Sequence, residues 1–171
     1  MHSKIELIRK KIIHQREDFA RTLAIWRFHE KRIVFTNGCF DIIHRGHIEY
    51  LAKAATLGDY LVVGLNSDAS VARLKGPGRP LQDEAARAAV LLGLRSVDAV
   101  VRFDEDTPLE LIRALRPDVL VKGGDYTPET VVGREDVEAR GRRLVLIPFL
   151  PGHSTSRIEQ RIRTGRGVTV E

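Results

Sequence analysis

The sequence predicts an α/β fold: a mainly parallel five-stranded sheet, doubly wound by helices on its two faces, with an N-terminal helical extension. Three observations predict it. Short, β-branched apolar runs alternate with helical periods along the chain. Most of those runs are continuously apolar, as strands covered on both faces are. The first strand, helix and strand fit within about 35 residues, the length of a βαβ unit with a right-handed connection.

Residues 3 to 29 carry apolar positions at Ile5, Ile8, Ile12, Phe19, Leu23 and Trp26 between charges such as Lys10, Arg16, Glu17 and Arg21, which reads as one or two amphipathic helices. Arg32-Ile33-Val34-Phe35-Thr36 is a buried strand closed by the turn residues Asn37-Gly38. Ile48, Leu51, Ala52 and Ala55 share one face of a helix that ends near Gly58. Tyr60 to Leu65 is the second strand, and Asn66-Ser67-Asp68 supplies N-cap residues for a short helix. Lys75 to Pro80 is a loop of Gly and Pro, Asp83 to Leu92 a helix, Ala99 to Phe103 a strand, and Thr107 to Leu115 a helix opening with Thr-Pro. Val119-Leu120-Val121 and Leu144 to Ile147 complete the strands, and Thr155 to Arg163 is the last helix. The division that follows is a helical extension over 1–30, a main domain over 31–163 and a frayed tail over 164–171.

The chain has 171 residues, 43% of them hydrophobic, which suits one compact domain with an appendage. Lys and Arg outnumber Asp and Glu by 28 to 23, so the formal charge of +5 favours polyanions: nucleic acid, anionic lipid or small phosphorylated substrates. Cys39 is the sole cysteine, which excludes an intrachain disulfide and a Cys-based structural zinc site and fits a reducing cytoplasm. No run approaches the roughly 20 apolar residues of a membrane span, and the start is charged, so neither secretion nor membrane insertion is expected.

Chemistry concentrates where the first strand ends. Thr36-Asn37-Gly38-Cys39-Phe40-Asp41 leads into His44-Arg45-Gly46-His47, which opens the next helix. In an open α/β sheet, ligands bind at the carboxyl ends of strands, where a helix start offers free N–H groups to phosphate. Gly46 lets the backbone come close, and two histidines three apart lie on one face of the first turn, able to present two donors to one phosphate. Lys75, Arg79 and Arg87 are cations in or beside the Gly/Pro loop; they are either the charges of a phosphate site or solvated surface. Lys122 leaves a buried strand straight into Gly123-Gly124 and is read as a phosphate contact, while Asp125 orients a base, a ribose or a sugar hydroxyl, or caps a turn. Ser154, Thr155 and Ser156 are N-caps of the last helix, phosphate contacts, or both. Cys39 is a small residue lining the loop.

Asn37-Gly38-Cys39-Phe40-Asp41 followed by His44-x-Gly46-His47 resembles the nucleotidylyltransferase superfamily. A longer series narrows the resemblance: Leu65-Asn66-Ser67-Asp68, Leu74-Lys75-Gly76-Pro77-Gly78-Arg79-Pro80, Arg87 with Leu91-x-Gly93-Leu94, Val97-Asp98, Phe103-x-Glu105-Asp106-Thr107-Pro108 and Val121-Lys122-Gly123-Gly124-Asp125-Tyr126. This series is similar to the D-glycero-β-D-manno-heptose 1-phosphate adenylyltransferases, over about residues 31 to 163.

The resemblance implies a Rossmann-like fold and transfer of AMP from ATP to the sugar phosphate, giving ADP-heptose for lipopolysaccharide and pyrophosphate. It implies catalytic roles for His44, His47, Lys75, Arg87 and Lys122, and contact of substrate phosphate with Lys75, Arg79 and Arg87. It places nucleotide on Thr36, Asn37, Gly38, Cys39, Phe40, Asp41, Gly46, Gly124, Asp125, Ser154, Thr155 and Ser156. Mg²⁺ would be held mainly by ATP phosphates and water rather than by protein ligands, with Asp41 bracing the loop or assisting the metal. A homodimer is implied as well. Related chains are often fused behind a sugar kinase, and 171 residues leave no room for one, so that step is expected from a separate protein.

The rival within the same chemistry is cytidylyl transfer to glycerol 3-phosphate or another small phosphate. A non-enzymatic nucleotide- or nucleic-acid-binding module is the rival outside it, carried by the positive charge and by Arg157, Arg161, Arg163 and Arg166. No stacking platform or recognition-helix motif accompanies those arginines, so nucleic acid is not an expected partner. The His-Glu-x-x-His pattern of a zinc protease and the Gly-x4-Gly-Lys-Ser/Thr of a P-loop are both missing.

Overall fold

The computed structural model describes residues 12–13, 16–124, 126–165 and 167. Its elements run β1 (Ile12–Ile13), α1 (Arg16–Phe28), β2 (Ile33–Gly38), α2 (Arg45–Ala55), β3 (Tyr60–Asn66), α3 (Asp68–Lys75), α4 (Glu84–Gly93), β4 (Ala99–Phe103), α5 (Leu109–Leu115), β5 (Val119–Gly123), a 3₁₀ turn (Pro128–Thr130), α6 (Arg134–Glu138), β6 (Arg143–Ile147) and α7 (Thr155–Thr164). All five expected strands form, and every pairing is parallel, in the order β1-β4-β3-β2-β5-β6.

The sixth strand corrects the five-strand count. Ile12, read as part of a helix, pairs with Val100, and Ile13 pairs with Val101. Two consecutive β-branched residues favour the extended backbone, and pairing with β4 covers an otherwise open sheet edge. The helical positions expected at Ile5, Ile8 and Lys10 lie outside the described residues, as do Arg166 and residues 168–171 of the expected tail.

Side chains alternate across the central strands and fill two cores. Val34, Leu61, Val63, Val100 and Val121 point to the layer that holds Leu51 of α2 and Leu91 of α4. Ile33, Phe35, Val62, Val101 and Leu120 point to the other, with Leu111 and Ile112 of α5, Val137 of α6, and Phe19 and Leu23 of α1. Burying each such side chain contributes roughly 1.5–3 kcal/mol. The extension therefore shares a core with the sheet, and Trp26 fixes it further by stacking on Tyr60 with centroids 4.0 Å apart.

Three aspartates set the start of neighbouring strands. Asp59, Asp98 and Asp118 each stand just before a strand, and their carboxylates accept the backbone N–H of Arg32, Leu61 and Ile33 respectively, at 2.8 Å in each case. β3 and β4 lie on one side of β2, while β5 and β6 lie on the other, so the chain reverses direction across the sheet between β2 and β5. Ligand clefts in open α/β sheets form outside the carboxyl ends of strands at such a reversal.

Candidate active site

The carboxyl ends of β2 and β5 open into a cleft of about 660 Å³, within the range of small-molecule sites. Of the residues singled out in the sequence, Asn37, Gly38, Cys39, Phe40, Asp41, His47, Lys75, Arg79, Lys122, Thr155 and Ser156 line it. β2 delivers the first of these, the start of α2 delivers His47, the end of α3 delivers Lys75, and β5 delivers Lys122.

His44 caps α2 through its backbone in an extended conformation, and its ring stacks on His47 with centroids 3.9 Å apart and planes 25° apart. A Cβ at Gly46 would come within 3.1 Å of the His44 ring and 3.3 Å of the His153 Cβ, so this turn packs closely over the glycine. The Nδ1 atoms of both histidines are buried without a hydrogen-bond partner among the described residues. Burial, then the neighbouring His44 and Lys75, push the His47 pKa down to about 4; burial and His153 lower that of His44. Both rings are thus neutral at pH 7, each with one donor to offer an incoming anion.

Lys122 is buried, and burial lowers its pKa to about 8. Its ammonium donates to the Asn37 side-chain oxygen and lies 5.3 Å from the centre of the Tyr126 ring, so it remains a cation at neutral pH within the cleft wall. Lys75 is exposed at the cleft rim.

Asp41 is fully engaged. Its carboxylate accepts from Arg79 at 2.6 Å, from the Leu81 N–H at 2.9 Å and from the Gln82 N–H at 3.0 Å. Burial alone would raise its pKa; those donors overcome burial and hold it below the ordinary carboxylate value. The arrangement braces the 79–82 loop. Arg79 also pairs with Glu159 of α7, which ties the last helix across the cleft to that loop.

Several expected contacts sit elsewhere. Arg87, read as meeting substrate phosphate, is fully buried: it donates to the carbonyls of Gln82, Cys39 and Asn66 and pairs with Asp68 at 2.7 Å. It stands behind the first loop and holds it against β3 and α3, because it shares the buried face of α4 with Ala88, Leu91 and Leu92. Thr36 is buried and shares a 2.7 Å hydrogen bond with Tyr50 rather than facing the cleft. Ser154 caps α7 by accepting the Arg157 N–H. Gly124 is pressed beneath Phe149, and Asp125 lies outside the described residues.

Sequence reasoning missed Tyr50, Asp106, Thr107, Tyr126, Phe149 and Glu159 in the cleft wall. Tyr126 closes the Lys-Gly-Gly-Asp-Tyr string, so its position carried a signal. Phe149 and Glu159 carried none that separates them from surface residues.

A match to the family described as cytidylyltransferase-like runs over residues 35–161. The chain belongs to that family. Among its curated relatives, the bifunctional protein HldE of Syntrophotalea carbinolica is 59% identical over 150 residues, covering 88% of this chain and 31% of that protein. The bifunctional protein HldE of Geotalea uraniireducens is 65% identical over 135 residues, 79% of this chain and 28% of that one. This cytidylyltransferase-like chain thus spans about three-tenths of the length of the curated relatives it matches. The crystal structure of the lipopolysaccharide core biosynthesis protein from Thermoplasma volcanium superposes with a TM-score of 0.58 at 29% identity, over 70% of this chain and 97% of that one. Pantothenate synthetase from Thermus thermophilus shares the fold, with a TM-score of 0.57 at 15% identity, over 87% of this chain and 70% of that one. No helix among the described residues is long and apolar enough to cross a membrane.

Proposed function

We propose that the protein transfers AMP from Mg²⁺-ATP to D-glycero-β-D-manno-heptose 1-phosphate, releasing pyrophosphate and ADP-heptose for lipopolysaccharide core synthesis. The observation that carries the reading is His47 in the wall of a cleft that also holds Lys75, Arg79 and Lys122, with the ring of His44, which is not among the lining residues, stacked on it at the start of α2. The name of the Thermoplasma protein supports the place in lipopolysaccharide core synthesis, and the motif series similar to the heptose 1-phosphate adenylyltransferases supports the choice of sugar.

The reaction needs no protein nucleophile. An oxygen of the sugar phosphate attacks the α-phosphorus, the bond to the β-phosphate oxygen breaks, and the electron pair leaves with pyrophosphate. Charge builds on the non-bridging oxygens of the five-coordinate phosphorus, so catalysis consists of positioning and charge stabilisation. His44 and His47 donate to those oxygens. Lys122 and Lys75 neutralise phosphate charge from opposite sides, and Arg79 joins them when phosphate displaces Glu159. Arg87 acts as a positioning residue by fixing the Cys39 carbonyl and the loop that carries it. Thr155 and Ser156, at the first turn of α7, offer hydroxyls and helix N–H groups to phosphate.

Mg²⁺ enters as part of the nucleotide substrate. Among the described residues no group of three His, Cys, Asp or Glu side chains could hold a metal ion, and the Asp41 oxygens are already engaged. That donor set suits a cation held by phosphate oxygens and water. A homodimer completes the reading, with Ile25 and Phe28 exposed on α1 as apolar surface for it; sedimentation of the full chain reads the stoichiometry.

The test is pyrophosphate release with ATP, CTP, GTP or UTP against heptose 1-phosphate, glycerol 3-phosphate or no acceptor, with products identified by mass. ADP-heptose formed only from ATP and heptose 1-phosphate is the expected result. Preference for CTP and glycerol 3-phosphate would retain the chemistry and overturn the substrates, and a silent panel would overturn both.

A further inference from the structure

A second concavity lies at the opposite end of the sheet, where β2, β5 and β6 begin. Arg27, Lys31, Arg32, Arg116, Arg140 and Arg142 line a cavity of about 570 Å³, with Glu30 and Asp118 the only acidic side chains in its wall among the described residues. One of those two acids is already committed: Asp118 accepts the Ile33 N–H at 2.8 Å and pairs with Arg142 at 3.1 Å.

Lys31 pairs with Asp59 at 3.8 Å and Arg142 with Asp118, whereas Arg27, Arg32, Arg116 and Arg140 have no carboxylate partner among the described residues. Arg140 has Nε and Nη2 buried with no hydrogen-bond partner among the described residues, an expensive state for a charged donor. Among the described residues Arg27 donates only to the Leu115 and Arg116 carbonyls, and burial together with the neighbouring Arg116 works against its charge. A fold that gathers four guanidinium groups without carboxylate partners in a hollow is built to receive negative charge there.

Geometry narrows the class of ligand. Guanidinium groups present planar forks that match phosphate oxygens, and five of them in one hollow exceed what a single carboxylate can engage. The volume suits a small molecule, whereas a nucleic-acid polymer tracks an extended positive groove. The hollow is also separate from the cleft. Arg32 precedes β2 and Asn37 lies at its far end, about 17 Å away at the rise of an extended strand.

We propose that this cavity is a second, non-catalytic site for a small ligand carrying two or more phosphoryl groups. The proposal does not rest on the reaction assigned to the cleft, and its test reads binding rather than turnover.

Sodium tripolyphosphate is the probe, titrated calorimetrically into the full chain, into an Arg116→Gln/Arg140→Gln variant and into a Lys122→Met variant of the cleft. The expected result is two classes of site in the wild type. The double variant loses one of them by at least tenfold in affinity while ATP binding at the cleft changes less than twofold, and Lys122→Met retains that same site. Thermal unfolding supplies the second readout. Without anion, Arg140→Gln alone is at least as stable as the wild type, because it removes two buried guanidinium nitrogens that have no hydrogen-bond partner among the described residues. Tripolyphosphate raises the melting temperature of the wild type and of Lys122→Met, and raises that of the double variant less than that of the wild type, because only the cleft site remains there. Identical titrations of wild type and double variant, or loss of all tripolyphosphate binding in Lys122→Met, would overturn the proposal. So would binding of a DNA duplex or polyglutamate to this face, abolished in the double variant, with no tripolyphosphate site there.

Discussion

His44 and His47 stack across one turn of α2 with centroids 3.9 Å apart, and neither Nδ1 finds a partner within the described protein. Two neutral, crowded imidazoles at a helix start are poorly satisfied in the free protein and well placed to meet phosphate oxygens. Their protonation should therefore respond both to folding and to ligand.

The folding response has a definite sign. The His47 pKa falls from its ordinary 6.5 to about 4 in the folded protein, so between those values the unfolded chain binds more protons. The associated stability is complete above about pH 6.5 and is lost as pH falls towards 4, a change of about 3 kcal/mol at 1.36 kcal/mol per unit. Thermal unfolding from pH 7 to pH 4.5 should show a falling melting temperature, and His47→Gln should flatten that slope. Equal slopes for both proteins would contradict the assignment.

Lys122 predicts an alkaline limb. With burial holding its pKa near 8, the free enzyme loses this cation as pH rises through that value, and kcat/KM for ATP should decline above it. Lys122→Arg does not titrate there, so the limb should move out of the accessible range even if the absolute rate is lower. An unchanged limb in that variant would assign it to another group.

Arg87 should act on stability before it acts on turnover. Removing its side chain strands the Cys39, Gln82 and Asn66 carbonyls and leaves Asp68 unpaired, a cost of about 3 kcal/mol. For a domain of this size that is about 6–12 °C in melting temperature. Differential scanning calorimetry of Arg87→Met checks it, and a variant as stable as the wild type would return Arg87 to the role of a free phosphate ligand.

The βα unit that carries the histidines was legible because its strand is a short β-branched run, its turn is Asn-Gly and its helix has a clean apolar face. The edge strand Ile12–Ile13 was not, since two residues are too few to show a period and only the open edge of β4 selects the extended form. Arg87 illustrates a different gap. Its alanine neighbours signal burial, but whether a buried guanidinium meets a ligand or three backbone carbonyls depends on loops brought in from residues 39 and 66. Phe149 belongs to the same class, because its place over Gly124 comes from sheet order.

That last contact is testable by itself. A Cβ at Gly124 would overlap the Phe149 ring, and the backbone there has φ near +75°. Gly124→Ala should destabilise the protein by about 1–3 kcal/mol and displace Phe149 from the cleft wall. Phe149→Ala should rescue the steric part and leave the backbone part, so a double-mutant cycle of unfolding free energies should show favourable coupling. Strict additivity would mean that the two residues do not meet.

The central claim is that the paired histidines stabilise the transition state of adenylyl transfer, and the most direct measurement is kcat for pyrophosphate release from ATP and heptose 1-phosphate, with His44→Ala beside the wild type. Loss of one such donor costs about 2.7–4 kcal/mol of barrier, or roughly 10²–10³ in rate. The account predicts that drop with the melting temperature preserved. A His44→Ala variant that turns over at the wild-type rate would contradict it.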